Sequence, residues 1–319
     1  MKYILFSILF IITLNLQAQP DSLFLKLPPK KYDGPVWTRK NNVSLNLNQV
    51  SFVNWNSGGS NSIAGLLGAR TEANYKDRYF TWRNNADFRY GVNKQAEREL
   101  RKTDDLIELN SNLGFQPDSI SNWFYTMKFN FRTQISDGFK YPNTDNPISR
   151  FMAPGYLFFG GGMEYGKNIE RLSFYLSPLT LKATFVLDEA LANAGSFGVE
   201  PAVYDTEGNL IRAGNQVRRE FGILITNSYE MEVIENVDLI HRVSLYTDYL
   251  NRFGNVDVDW SVDFNFKVNS FINATLGSHL RYDDDVKTQI ATDVEGEFLE
   301  AGPKVQWKQY LGLGFAVDF

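Results

Sequence analysis

The chain has 319 residues, a formal net charge of −5, no cysteine and two histidines. The absence of cysteine excludes thiol catalysis, disulfides, cysteine-based zinc sites and a cysteine-linked lipid anchor. The mild acidic charge argues against a nucleic-acid-binding protein, which normally presents a basic face. The composition also includes 25 Phe, 16 Tyr and 6 Trp, and the fold must place all of these aromatic side chains.

Residues 1–18 have the pattern of a secretory signal peptide. Lys2 supplies the positive n-region, Tyr3 to Leu14 form an apolar core, and Ala18 precedes a cleavage site before Gln19. The core is too short for a transmembrane helix of ~20 residues. We therefore expect cleavage after residue 18 and a location outside the cytoplasm. The alternative is an uncleaved membrane anchor.

Residues 19–41 contain Pro28, Pro29, Gly34 and Pro35, which exclude a regular element. We expect this segment to be a periplasmic lead-in, with a plug inside a barrel lumen as the alternative.

Residues 42–319 alternate between apolar and polar side chains, which is typical of strands with two different faces. In the clearest run, Phe80, Trp82 and Phe88 share one parity, while Arg83 and Asp87 share the other. Twelve runs are predicted, at residues 42–53, 63–75, 79–93, 105–116, 123–136, 155–166, 171–187, 218–234, 237–249, 256–268, 271–282 and 305–319.

The lengths of these runs favour a membrane protein. Strands of soluble proteins mostly have about 5–6 residues, whereas a tilted strand needs about 9–11 to cross a membrane. Long and short connections also alternate along the chain, as they do in outer-membrane barrels. The sequence therefore predicts an all-β fold. The predicted fold is a transmembrane antiparallel β-barrel of about 12 strands with short periplasmic turns and long extracellular loops. The predicted location is the outer membrane of a Gram-negative bacterium.

The chain ends on an alternating strand with a terminal aromatic residue. The side chains of Phe315, Val317 and Phe319 share its apolar parity. This ending resembles the insertion signals of outer-membrane proteins, so we expect outer-membrane lipid and the barrel-insertion machinery as partners.

Three short stretches resemble a family of proteins. They are residues 55–62 (Trp-Asn-Ser-Gly-Gly-Ser-Asn-Ser), residues 177–180 (Ser-Pro-Leu-Thr) and residues 194–199 (Ala-Gly-Ser-Phe-Gly-Val). Together with the lead-in and a mature start at Gln19, they resemble a Bacteroidota outer-membrane family catalogued as a domain of unknown function (number 3078). The resemblance covers most of residues 30–319. It implies a barrel and its location, and it carries no established activity.

Nothing in the pattern indicates an enzyme or a cofactor. His241 and Ser244 are three apart and so lie on opposite faces of a strand, which excludes a nucleophile–base pair there. We expect His241 on the outer face. His279 precedes Asp283, Asp284 and Asp285. We interpret this segment as a solvated charged loop without a metal site, with weak cation binding as the alternative.

The long loop at 188–217 contains an apolar stretch, for which a short helix or a fold into the lumen is expected. It could cap the barrel, constrict the lumen or contact a partner.

The polar parity predicts the residues that line the lumen. We expect Arg83, Asp87, Arg89, Lys128 and Arg132 to face one another from two strands on opposite or nearly opposite walls. Further lining residues are expected on a later strand: Asp259, Asp263 and Lys267.

Two functions fit these mixed charges. The first is a small, passive, porin-like channel for polar solutes or ions. The second is a closed barrel that serves as a scaffold or accessory subunit of an outer-membrane assembly or transport complex. In the second case, loops 137–154, 188–217 and 283–304 would contact other envelope proteins. No nucleic acid is expected as a partner.

Overall fold

The computed structural model describes residues 34–51, 61–96, 98–117, 121–166, 171–251, 253–291 and 298–318. The predicted signal peptide and residues 19–33 of the predicted lead-in lie outside the described residues. No helix in the described part of the chain is long and apolar enough to cross a membrane.

Twelve long antiparallel strands close into one barrel, as the alternation predicts. Each strand pairs with its neighbours, so the closed sheet has no free edge of the kind that hydrocarbon would leave unsatisfied. The barrel strands are β1 (Val36–Val50), β2 (Ser62–Lys76), β3 (Phe80–Gln95), β4 (Arg101–Phe115), β5 (Trp123–Thr133), β8 (Gly155–Tyr165), β9 (Leu172–Phe185), β12 (Val217–Ile234), β13 (Val237–Asp248), β14 (Asp257–Lys267), β15 (Ile272–Tyr282) and β18 (Gln306–Asp318).

All twelve predicted runs are confirmed, but two strands begin several residues earlier than predicted. Residues 36–41 belong to β1 rather than to the predicted lead-in, and β4 begins at Arg101 instead of residue 105. In both places polar residues occur on both faces of the strand, so the alternation does not extend back to the first residue of the strand.

Short turns join the strands at one end of the barrel, called the turn end below. The tightest turn is Glu235–Asn236, between β12 and β13. Asn236 has φ 66°, a left-handed conformation that asparagine adopts more readily than most residues. The first and last strands close the barrel through pairs such as Val43 with Val317.

The opposite end, the loop end, carries the long connections. Three small hairpins lie there, formed by β6 (Gly138–Phe139) with β7 (Pro147–Ser149), β10 (Val203–Tyr204) with β11 (Leu210–Arg212), and β16 (Lys287–Ala291) with β17 (Phe298–Pro303).

The loop after β9 contains the expected short helix, α1 (Glu189–Asn193), followed by a 3₁₀ turn (Ser196–Gly198). The Asp188 side chain caps α1 by accepting a hydrogen bond of 2.9 Å from the Leu191 amide.

Candidate functional site

The barrel turns its apolar parity outward. Large hydrophobic side chains are exposed on the outer face of strand after strand. Aromatic pairs concentrate at the turn end. Trp37 contacts Trp82, Trp123 contacts Tyr165, and Phe80 contacts Phe115. The polar parity faces the lumen, which is the candidate functional site.

Burial divides the lumen into two sides. Within the described residues, the buried polar side chains all lie on β5, β8, β9, β12 and β13, here called the packed side. On the other seven strands, here called the open side, every buried residue whose burial is described is a glycine. The buried polar residues of the packed side are Thr126, Thr133, Glu164, Ser173, Ser177, Thr180, Lys182, Thr184, Glu220 and Asp248.

Glu164 is the centre of the packed side near the turn end. Its side chain is 1% exposed, and its oxygens bind Arg83 Nη2 at 2.7 Å and Lys128 Nζ at 3.0 Å. Thr126 Oγ1 and Ser173 Oγ donate to the same carboxylate. Burial of an ionised carboxylate is tolerated here because its oxygens are paired and hydrogen-bonded.

Lys182 is the corresponding centre near the loop end. Its ammonium group lies 2.7 Å from Asp257, 3.4 Å from Glu220 and 3.6 Å from Asp283. Because the Lys182 side chain is only 5% exposed, the three carboxylates shield this cation from water.

Glycines allow the packed side to form. A Cβ on Gly162 would lie 2.0 Å from the Leu176 carbonyl oxygen, so only glycine permits this approach of β8 to β9. The strand register shifts at the same level. Ser177 Oγ then donates to the Gly161 carbonyl at 2.9 Å, and Tyr175 Oη donates to the Gly160 carbonyl at 3.0 Å.

One ion pair separates the two sides at the loop end. Arg132 Nη1 on β5 lies 3.3 Å from Asp259 Oδ2 on β14. In the closed strand order, β8, β9, β12 and β13 lie between these strands in one direction, and β15, β18 and β1–β4 lie between them in the other. The pair therefore crosses the lumen between the packed side and the open side.

Several ion pairs of the open side are accessible to water. Arg70 binds Asp87 at 2.9 Å, and its side chain is 38% exposed. Asp104 Oδ2 lies 3.5 Å from Arg89 Nε and 3.0 Å from Lys308 Nζ. The side chains of Arg89 and Lys308 are 47% and 46% exposed, respectively. These pairs therefore contact solvent that the packed side excludes.

The expectation that the first five predicted residues face one another across the lumen is wrong. Arg83, Asp87 and Arg89 lie on β3, and Lys128 and Arg132 lie on β5; only β4 separates the two strands. Consecutive strands of a barrel are neighbours, so predicted runs two apart cannot lie on opposite walls. Both strands do turn these residues into the lumen.

The three predicted residues of β14 share one parity but not one environment. Asp259 lies in the bridge that crosses the lumen, and Asp263 accepts a hydrogen bond from Tyr310 Oη of β18. Lys267 is exposed at the end of β14, at the turn end.

Outer-face residues also lie where their parity predicts. Phe315 and Val317 are exposed on β18, and the predicted Phe319 lies outside the described residues. The His241 ring packs against Trp260 with centroids 6.3 Å apart.

Sequence reasoning missed several residues of the site. His279 Nε2 lies 2.8 Å from Asp259 Oδ1, and Arg281 Nη2 lies 3.3 Å from Asp259 Oδ2. Asp104 was expected in a loop. The parity of these residues was visible in the sequence, but their partners depend on the register of distant strands.

The acidic loop after β15 is held by polar partners. The side chain of Asp285 binds Arg218, and Asp284 accepts a hydrogen bond of 2.6 Å from Asn255. Within the described ranges, no group of three or more His, Cys, Asp or Glu side chains is arranged to hold a metal ion.

Residues 47–139 match the model of a family described as "Protein of unknown function (DUF3078)". The predicted resemblance to this family is confirmed for this segment, whereas the Bacteroidota lineage stays a prediction. The description names no activity, and no curated protein matches the chain.

Two solved structures to which this chain is similar are a channel and a translocator domain. An outer-membrane channel from Pseudomonas putida F1 is 10% identical with a TM-score of 0.40, covering 92% of this chain and 100% of that chain. The translocator domain of the autotransporter NalP from Neisseria meningitidis is 10% identical with a TM-score of 0.30, covering 89% of each chain. The fold of this protein is established by its own strand pairing.

Proposed function

We propose that this protein resides in the outer membrane and passes small polar solutes or ions along the open side of its lumen. The water-accessible charges of that side carry the proposal. An exposed apolar outer face with aromatic pairs at the turn end supports the location.

The open side has the chemistry of a weakly selective path. Basic and acidic side chains both line it, so neither sign of ion meets a uniform field. Small residues keep it wide, including Ser44 and Gly68, which pair across β1 and β2. Gly312 of β18 adds to this wall. A solute would therefore follow β1, β2 and β18 rather than the centre of the barrel.

Single-channel recording in a planar bilayer tests the proposal with the purified full chain. Discrete, reproducible conductance steps are expected from the wild type. An inserted protein that gives no steps under any voltage would contradict the proposal.

Two glycine variants locate the path. An added Cβ at Gly312 has no closer neighbour than Asn46 Oδ1 at 3.8 Å, so Gly312→Phe should fit and narrow the open side. Gly161 faces outward, where a Cβ would meet nothing within 4 Å. Gly161→Phe is the matched control. We expect lower unitary conductance in the first variant only, and equal conductances would contradict this route.

The second candidate is a closed barrel that serves as a scaffold or accessory subunit. It is favoured by a loop cap on the packed side, in which Ala153 packs with Val186, Ala192 and Val199. Co-purification of one stoichiometric envelope protein with a non-conducting barrel would support this candidate.

A further inference from the structure

Basic side chains outnumber carboxylates near the Arg132–Asp259 pair, where it crosses the lumen at the loop end. Arg132 Nη1 and Arg281 Nη2 both approach the same oxygen, Asp259 Oδ2, at 3.3 Å. His279 Nε2 lies 2.8 Å from the other oxygen, Oδ1. Three basic side chains therefore share a single carboxylate.

A second group with the same surplus is continuous with the first. Arg89 and Lys308 both approach Asp104 Oδ2. Lys308 is also the direct cross-strand partner of His279. The two groups together form the basic ring, defined as Arg89, Arg132, His279, Arg281 and Lys308.

The charge of the ring region favours an anion. Its four permanent cations are Arg89, Arg132, Arg281 and Lys308, and the facing carboxylates are Asp104 and Asp259. A third carboxylate, Glu108, is the cross-strand neighbour of Arg132. The cations remain in excess even when Glu108 is counted and His279 is neutral.

The basic ring also contains hydrogen-bond donors that face the lumen. A guanidinium group carries five N–H donors in a planar fork that matches an oxyanion. Arg132 donates to a described side chain through Nη1. Arg281 donates to a described side chain through Nε and Nη2. These two side chains are 23% and 32% exposed, so water reaches them from the lumen.

We propose that the basic ring binds a small oxyanion, namely a carboxylate or phosphate group carried by a free solute. The bound group would lie between Arg132 and Arg281, with Lys308 nearby. The inference rests on the proposed channel for the solute's route through the membrane, but binding itself requires only an accessible lumen.

Isothermal titration of the refolded full chain in detergent at low salt tests binding directly. Inorganic phosphate and succinate are the two probes, and they separate phosphate from carboxylate recognition. Arg281→Gln should weaken binding of the preferred probe by about tenfold, the worth of one charge-assisted hydrogen bond. Arg242→Gln is the matched control, because Arg242 is a lumen arginine outside the ring, 4.0 Å from Asp263. Its affinity should equal that of the wild type.

The variant Asp259→Asn should change the binding affinity in the opposite direction. It keeps every basic side chain and removes the carboxylate that competes with the solute, so binding should become tighter. Absence of binding, equal effects of the two arginine variants, or weaker binding by Asp259→Asn would overturn the inference. Far-UV circular dichroism verifies that each variant is folded.

The outcomes are separable from those of the proposed function. A barrel that is silent in a bilayer but binds the probe as expected would contradict the channel and support the ring. A conducting barrel that binds neither probe would contradict the ring alone.

Discussion

The packed and open sides of the lumen contain similar charged residues in different environments. Glu164 and Asp259 are both carboxylates held by several cations, but Glu164 is 1% exposed and Asp259 is 33% exposed. The cations around Glu164 take the place of water, whereas the ion pairs of Asp259 remain in contact with water. Charge in a barrel lumen therefore indicates a path only where solvent also reaches it.

Close backbone approach accompanies the burial of the packed side. On the packed side, glycines let β8 approach β9 and β12 approach β13, while register shifts mark the same level. On the open side, the pairing of β1 with β2 is regular along its whole length. The side chains of the packed side therefore meet within the lumen, whereas those of the open side leave space for water.

The largest expected difference between the sides concerns stability. Glu164→Gln leaves Arg83 and Lys128 without a counter-charge in a buried site, which should cost about 3 kcal/mol of unfolding free energy. Asp259→Asn should cost no more than about 1 kcal/mol, since its ion pairs are water-accessible. Urea unfolding of the barrel in lipid vesicles measures both. Similar losses in the two variants would mean that the sides do not differ in burial.

A second comparison concerns backbone space. A Cβ on Gly222 would lie 1.9 Å from the Thr247 carbonyl oxygen, so Gly222→Ala must displace a strand and should cost about 2 kcal/mol. Gly312→Ala meets no such obstacle and should stay within about 0.5 kcal/mol of the wild type. The same unfolding experiment applies. A neutral Gly222→Ala would show that close backbone approach does not shape the packed side.

The smallest expected effect is on ion selectivity. Arg89→Gln removes an exposed cation from the open side, so the reversal potential in a salt gradient should shift toward cation preference. Arg83 is 17% exposed and neutralised by Glu164, so Arg83→Gln should leave the reversal potential unchanged in the channels that form. A shift with Arg83→Gln and none with Arg89→Gln would contradict the view that only water-accessible charges set the selectivity.

The strands were predictable because period-2 alternation reports directly on a two-faced sheet. The alternation identified all twelve strands, and it missed the start of a strand where both faces are polar, as at Arg101–Asp104 in β4. The short helix of the 188–217 loop was expected because its apolar stretch stood out among polar neighbours.

The division of the lumen was not predictable from the sequence. Parity shows that Arg132 and Asp259 face inward, but they are 127 positions apart and meet only because the barrel closes at one register. Glu164 and Glu108 both face the lumen, but only Glu164, which lies beside the register shift at Gly161–Met163, is buried. Burial in a lumen depends on how far each wall moves inward, which alternation does not encode.

Thiol accessibility tests the division of the lumen most directly, because the chain has no cysteine of its own. Ser44→Cys places one thiol on the open side, and Ser177→Cys places one on the packed side, where Ser177 is 0% exposed. Each folded variant would be treated with a charged, water-soluble methanethiosulfonate and analysed by mass spectrometry. We expect rapid modification at position 44 and protection at position 177 until the barrel is unfolded. Equal rates at the two positions in the folded barrel would contradict a lumen with one packed and one open side.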